Sequence, residues 1–549
     1  MSALRRLARR VWVFKMLLVS GMIAPLRPDK YLRMAAVIRR QGVTATAGFS
    51  LAAARRPHGA ALVDERGTMT WAELEADTDA LAVGIRALVG GPVGSLAILC
   101  RNHRGFVEAL GAGAKLGADV LLLNTAFSGP QLSDVLQREG ATAIVYDVEF
   151  ADIVELAGEG VEGLERVVAW TDAPDAPDDT DADRVTVDAL VRRHRGERPG
   201  KAPRAGKVIL LTSGTTGTPK GARRSGGGGA AALAAMLDRI PWRGEQVTVV
   251  AAPMFHAWGF GQLAIAATMT CTVVMRRRFD PEATLALVDE HRATGLAVVP
   301  VMLERIVDLP AEVLDRYRCD SLRFVTASGS RMRTDAVTAF MDRFGDVVYN
   351  SYNATEAGLI STATPADLRV APDTAGRPVV GTDLRIVDDE WRDVPQGEVG
   401  RITVLSDSHF EGYTSGDSKQ FHESFMVSGD IGRVDEAGRL YVVGRDDEMI
   451  VSGGENVYPL EVEETLTAHE AVREAAVVGV DDEAFGQRLV AFVVPVPGAT
   501  VTADDLKSHI KEQLAGYKVP REVTFLEELP RNATGKVMKR ELIADDGPG

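Results

Sequence analysis

The stretch Leu211-Thr-Ser-Gly-Thr-Thr-Gly-Thr-Pro-Lys-Gly221 decides how this 549-residue chain is read. Just upstream, Val208-Ile-Leu-Leu211 is a short apolar run with the character of a buried strand. It feeds a turn whose glycines, Gly214, Gly217 and Gly221, let the backbone bring its N–H groups close to a ligand. Thr212, Ser213, Thr215, Thr216 and Thr218 add hydroxyl donors, Lys220 adds a cation, and no carboxylate intervenes. That donor set suits a polyphosphate. The spacing is not G-x-x-x-x-G-K-[ST], so this is not a Walker A loop. A plain surface turn is the competing reading, and it fits the nearby run 226–229 better.

Working outward, apolar runs at 206–211, 247–252, 296–301, 322–326 and 347–349 read as buried strands, with helical stretches such as 281–292 and 334–344 between them. This alternation predicts an α/β fold with mostly parallel sheets. The last hundred residues differ: helices at 459–469 and 502–514 flank strands at 475–480 and 489–494, and Thr502 with Asp505 makes a capping pair. A small α+β unit follows from that pattern. The expected organisation is a basic N-terminal segment 1–45, a large α/β domain 46–445 and a C-terminal lid domain 446–549. Segment 172–183, with six Asp and two Pro, reads as a solvated loop.

Composition narrows the function classes. The chain is 46% apolar and 25% charged, which fits a globular protein and excludes a fibrous or broadly disordered one. A net charge of −15 argues against nucleic acid as the partner. Three widely spaced cysteines, Cys100, Cys271 and Cys319, form no CxxC pair and point to a reducing compartment. No H-E-x-x-H occurs, so a zinc hydrolase has no support. Residues 1–40 hold ten Lys or Arg and one acid, Asp29. Their apolar run 11–24 is too short to span a bilayer and is broken by Lys15. Two readings stand: an amphipathic segment lying on anionic lipid, or a helix packed on the protein's own body. A cleaved signal peptide ranks behind both.

Residues 212–221 resemble the phosphate loop of the adenylate-forming, AMP-binding superfamily, which includes acyl-CoA synthetases, and further motifs follow in the family's order over most of 60–540. Thr70-Trp-Ala-Glu-Leu74 and Leu116-Gly-Ala-Asp119 resemble early motifs concerned with packing. Pro253-Met-Phe-His-Ala-Trp-Gly-Phe260 resembles the aromatic motif. It implies His256 near the acyl carboxylate and Trp258 or Phe260 gating an acyl tunnel; the apolar segment 296–303 adds Val301 as a candidate pocket residue. Ser328-Gly-Ser330 resembles the loop against adenine, through Gly329 and Ser330. Tyr349-Asn-Ser-Tyr-Asn-Ala-Thr-Glu356 resembles the segment in which an aromatic ring stacks on adenine, a Thr meets phosphate and a Glu binds Mg²⁺. Those roles fall on Tyr352, Thr355 and Glu356, with Asn353 standing where Gly is usual. Asp430 and Arg445 match the ribose grip, and Asp447 matches the hinge. Ser452, Gly453 and Gly454 match the loop that meets CoA, and Lys536 matches the catalytic lysine.

The resemblance implies an acyl-CoA synthetase using ATP, Mg²⁺ and CoA; the segment 296–303, with Phe255, Trp258 and Phe260, is apolar and offers no charged anchor, so a medium- or long-chain fatty acid is the expected substrate. The acid attacks the α-phosphorus, pyrophosphate leaves, and CoA then displaces AMP. A mobile C-terminal domain turning about Asp447 withdraws Lys536 between the two steps. The alternatives are a ligase loading a carrier protein, a CoA ligase for aryl or steroid-like acids, and an inactive nucleotide-binding scaffold at a membrane. No carrier domain follows residue 549, which favours free CoA. A cytoplasmic location is expected, with peripheral attachment to the inner membrane face through residues 1–40 and a homodimer among the arrangements allowed.

Overall fold

The computed structural model describes residues 3–42, 46–171, 184–212, 220–224, 229–406, 410–413, 418–452, 455–482, 486–532 and 535–544. The Asp-rich stretch 172–183 lies outside them. The chain forms two compact units. One comprises 1–373, 379–382 and 406–419; the other comprises 374–378, 383–405 and 420–549.

The larger unit is built on two sheets. In the first, Val348–Ala354, Phe324–Ala327, Gly295–Val298, Val247–Val250, Thr272–Val274 and Ala60–Asp64 run parallel in that spatial order. An antiparallel strand adjoins each end of this parallel set, Gly358–Ala363 next to Val348–Ala354 and Gly67–Thr70 next to Ala60–Asp64. In the second, Val208–Thr212, Asp119–Leu122, Ser95–Leu99, Ala141–Asp147 and Glu165–Trp170 run parallel. Strands buried on both faces read as continuous apolar runs, which is why the α/β pattern was legible. The early motifs are packing elements, as expected. Thr70 caps the helix Trp71–Val89 reciprocally with Glu73, and Trp71 and Leu74 are each 1% exposed.

One expected strand is corrected. Segment 296–301 is not a single strand: Gly295–Val298 ends and the helix Pro300–Val307 begins, with Pro300 in its first turn. Proline fixes φ for a helix start and cannot donate to a sheet ladder, so the chain turns there. Val301 therefore sits on a helix, half-buried against the sheet core.

Where the strand Ser95–Leu99 ends, Glu149 gathers Arg101 (2.7 Å), Arg277 (2.8 Å) and Arg278 (3.0 Å). Burial alone would raise the Glu149 carboxyl, but the hydrogen-bonded guanidinium of Arg101 and its neighbours hold it at about 2. A depressed folded value stabilises the fold above the unfolded carboxyl range and loses that contribution as pH falls toward 2. Glu149→Gln is therefore expected to lower the urea midpoint at pH 7, with the difference from wild type shrinking steadily below about pH 4.5. Equal shifts at pH 7 and pH 3 would contradict this account.

The smaller unit contains an antiparallel sheet ordered Thr382–Val387, Gly400–Ser406, Phe425–Val434 and Phe421–His422, with Leu440–Arg445 also on Phe425–Val434. A second sheet centres on the long pair Val472–Asp482 and Gly486–Pro495. The helices Pro459–Thr467 and Ala503–Gln513 contribute Val462, Leu466, Leu506 and Ile510 to the core against it. The Thr502–Asp505 capping box forms as the sequence predicts. The stretch 444–447 is a strand end followed by the 3-10 helix Asp446–Glu448. Arg401 pairs with Asp446 at 3.1 Å and the Tyr458 ring lies against Gly444. These contacts join 383–405 and 420–445 to the C-terminal segment.

Candidate active site

The two strands that flank the glycine-rich stretch pair with each other. Val208–Thr212 pairs antiparallel with Lys220–Arg224 in the register Leu210↔Ala222, Leu211↔Gly221 and Thr212↔Lys220. The two ends of the loop are thus held one strand spacing apart. Ser213, Gly214, Thr215, Thr216 and Gly217 lie outside the described residues, as do the side chains of Thr212 and Lys220.

The aromatic motif is fixed by a residue that the sequence did not single out. Asn102 accepts from the Met254 N–H at 2.9 Å and donates to the Ala252 carbonyl at 2.9 Å. Its own loop is pinned by the next residue. His103 Nδ1 accepts from the Gly105 N–H, so Nε2 carries the proton and donates to Asp147 at 2.6 Å. Both His103 and Asp147 are fully buried. An Asn after a strand is a common loop residue, and only its partners across the sheets reveal its task. Asn102→Ala strands two buried backbone groups, and a loss of about 1–3 kcal/mol in folding stability is expected by denaturant titration. An unchanged midpoint would remove this role.

His256 is the N-cap of the helix Ala257–Thr268, half-buried, with no side-chain bond to the helix end. Burial pushes its imidazole below the ordinary value, toward the neutral form. Trp258 is 3% exposed and donates its indole N–H to the Val298 carbonyl at 2.9 Å. The ring is pinned by this bond and packed in the sheet core. Phe260, two residues on, is half-buried.

Gly329 follows the strand Phe324–Ala327 with φ +114°, a conformation that side chains other than glycine's rarely adopt. It and Ser330 are exposed, whereas Ser328 is buried. The Ser328 hydroxyl donates to Asn353 Oδ1 at 3.0 Å. The unusual Asn353 thus ties two predicted adenine segments together, at a bulge in the hairpin Val348–Ala354/Gly358–Ala363. The tip of that hairpin carries Thr355, half-buried, and Glu356, 8% exposed; Tyr352 lies half-buried on the first strand. Glu356 offers the hard carboxylate oxygen that Mg²⁺ takes, and one carboxylate with substrate phosphates and water is an ordinary set for that ion.

In the smaller unit the two predicted ribose residues meet. Asp430 and Arg445 are register partners on adjacent strands, with 3.7 Å between Oδ1 and the guanidinium. The Asp430 N–H donates to the Ser428 hydroxyl at 3.0 Å, which in turn donates to the Ile402 carbonyl. Ser452 pairs with Glu455 across a two-residue connection. Gly453 and Gly454 themselves, and the side chains of Ser452 and Asp447, lie outside the described residues. Lys536 is exposed in a short turn. Its N–H donates to Asn532 Oδ1 at 3.0 Å and its carbonyl accepts from the Asn532 N–H at 2.9 Å. Arg531, bonded to the Gly535 carbonyl and to Glu474, braces the turn from the other side. These supports, like Asn102, carried no sequence signal.

A family described as AMP-binding enzyme matches residues 49–414, and one described as AMP-binding enzyme C-terminal domain matches 461–536. The chain is 32% identical over 498 residues to a feruloyl-CoA synthase of Amycolatopsis sp., covering 88% of this chain and 96% of that protein. It is 31% identical to an indoleacetate–CoA ligase of Aromatoleum aromaticum, covering 87% and 93%. Among solved structures, the o-succinylbenzoate CoA synthetase of Bacillus subtilis, in complex with its acyl-adenylate intermediate, superposes with a TM-score of 0.76. It is 28% identical and the match covers 90% of this chain and 97% of that one.

Proposed function

This chain belongs to the AMP-binding enzyme family, and from that premise we propose that it is an AMP-forming CoA ligase for an aryl carboxylic acid. The family and the relatives support an ATP-dependent acid–CoA ligase acting through an acyl-adenylate, with ATP, Mg²⁺ and CoA required. The observation that carries the substrate class is the near full-length likeness to the ferulate and indoleacetate enzymes, both of which act on aromatic acids. It weighs against the medium- or long-chain fatty acid that the sequence suggested. An apolar lining that accepts an alkyl chain accepts a ring equally well, so apolarity alone could not separate the two.

The loop 212–221 cradles the β and γ phosphates, Tyr352 lies on adenine, Asp430 holds the ribose, and Arg445 holds the ribose or a phosphate. Glu356 would hold Mg²⁺, which when bound would supply neutralisation of phosphate charge. The attacking carboxylate is already ionised near neutral pH, so no base is needed, and neutral His256 serves the acid by position. Lys536 lies between carboxylate and α-phosphate, where charge shifts in the transition state. For thioester formation, the segment 446–549 turns about Asp447, removes Lys536 and offers residues 452–454 to CoA.

A pyrophosphate-release screen tests the substrate class. Ferulate, indoleacetate and 2-succinylbenzoate are compared with saturated fatty acids of graded length, each with and without CoA. At least one aryl acid is expected to outpace every fatty acid and to give a CoA thioester. Faster turnover of fatty acids, or transfer to a carrier protein alone, would reverse the proposal.

A further inference from the structure

The N-terminal helix Ala3–Val19 has two faces of different character. One face docks on the larger unit. Leu17 is 8% exposed, Ser20 just past the helix is 1% exposed, and the helix packs on Gly229–Arg239. The Ser20 carbonyl accepts from the Gly244 N–H at 2.8 Å. Arg55, almost wholly buried, donates to the carbonyls of Gly21 (2.9 Å) and Met22 (2.7 Å) and pairs with Glu245 at 2.9 Å.

The other face is apolar and uncovered. Leu7, Val11, Phe14 and Leu18 are 61%, 61%, 54% and 45% exposed. Their spacing of four, three and four residues confines them to about 60° of helix arc over a length of about 17 Å. Arg10 and Lys15 are also exposed, and at 100° per residue they fall on opposite edges of that stripe. Neither has a carboxylate partner among the described residues. On the following helix, Pro28–Gln41, Leu32 is 74% exposed.

We propose that this stripe is a membrane-surface anchor whose occupant is an anionic lipid bilayer. Three observations favour that occupant. The stripe is a ridge of large apolar side chains edged by cations, the form that sinks to the headgroup boundary and meets acidic lipid. The region is cationic on a chain that is acidic overall, which selects a negative surface. The anchoring helix is fastened to the catalytic unit by its other face, so the protein's own body cannot cover the stripe. No helix among the described residues is long and apolar enough to cross a membrane, so the segment lies on the bilayer. The inference is independent of which acid the enzyme activates.

Flotation of the full chain with vesicles tests it, using phosphatidylcholine alone and phosphatidylcholine mixed with phosphatidylglycerol. Binding to the mixed vesicles is expected, with weak or no binding to phosphatidylcholine. The double variant Val11→Ser/Phe14→Ser alters only exposed side chains and is expected to lose flotation. Arg10→Gln/Lys15→Gln is expected to weaken binding to mixed vesicles about 30-fold, from about 1 kcal/mol per cation. Pyrophosphate release with a soluble acid should be unchanged in all variants, so its absence would bear on the proposed function alone. The anchor is overturned by failure of the wild-type chain to bind mixed vesicles or by undiminished binding of the Val11/Phe14 variant. It is equally overturned if light scattering shows a dimer that the same variant dissolves, since the stripe would then be covered by a second copy.

Discussion

Lys536→Ala is expected to slow pyrophosphate release about 10²–10³-fold while leaving thioester formation from supplied acyl-adenylate and CoA nearly unchanged. The asymmetry follows from where charge develops. During adenylation a carboxylate approaches a triphosphate, and a cation placed between them stabilises the transition state more than the separated reactants. In the second step a thiolate displaces AMP from a neutral acyl group, and the same cation offers little. The local structure supports a dedicated role. Lys536 is exposed at a turn closed by Asn532 and braced by Arg531, and its ammonium has no carboxylate partner among the described residues. Truncating an exposed side chain there should leave the melting temperature within experimental scatter, so a lost rate cannot be ascribed to unfolding. Rapid-quench measurement of each half-reaction checks the result, and comparable losses in both would falsify the division of labour.

Glu356→Gln is the second large effect. It keeps shape and size but removes the charge that is proposed to hold Mg²⁺. Because the group is 8% exposed, water cannot readily replace the lost oxygen ligand. Loss of a metal ligand in a shielded site is expected to cost several kcal/mol of transition-state stabilisation, or about 10²–10⁴ in kcat/KM. Raising Mg²⁺ should recover part of it. The measurement is pyrophosphate exchange against Mg²⁺ concentration in both proteins. An unchanged Mg²⁺ dependence would place the metal elsewhere.

The fold was readable because its strands are buried on both faces and its helices are amphipathic, so apolar runs and their spacing survive in the sequence. The element that misled was 296–301, where an unbroken apolar run hid the switch from strand to helix at Pro300. Periodicity cannot distinguish a buried strand from the first turn of a buried helix, although the proline could have. At the site, residues with intrinsic chemistry were named in advance, and Asp430 and Arg445 do lie together. Residues that act by holding others were not. Asn102 works on a loop 152 positions away, and its partners are backbone groups that leave no trace in side-chain identity. Asn353 was visible only as a departure from the usual glycine; the Ser328 contact supplies its physical reason.

Arg55 falls inside the stretch 49–414 shared with the family, yet its guanidinium is spent on Gly21, Met22 and Glu245, two of which precede that stretch. Without the Gly21 and Met22 carbonyls the buried guanidinium keeps only Glu245, so the arginine and the helix before it are expected to be gained or lost together. Position 55 therefore serves as a marker within the shared domain. Relatives that keep an arginine there should carry a docked leader helix of this kind, and relatives with a small apolar residue there should lack one. An alignment of that single column can then sort the family by architecture without reference to the variable N-terminal residues themselves.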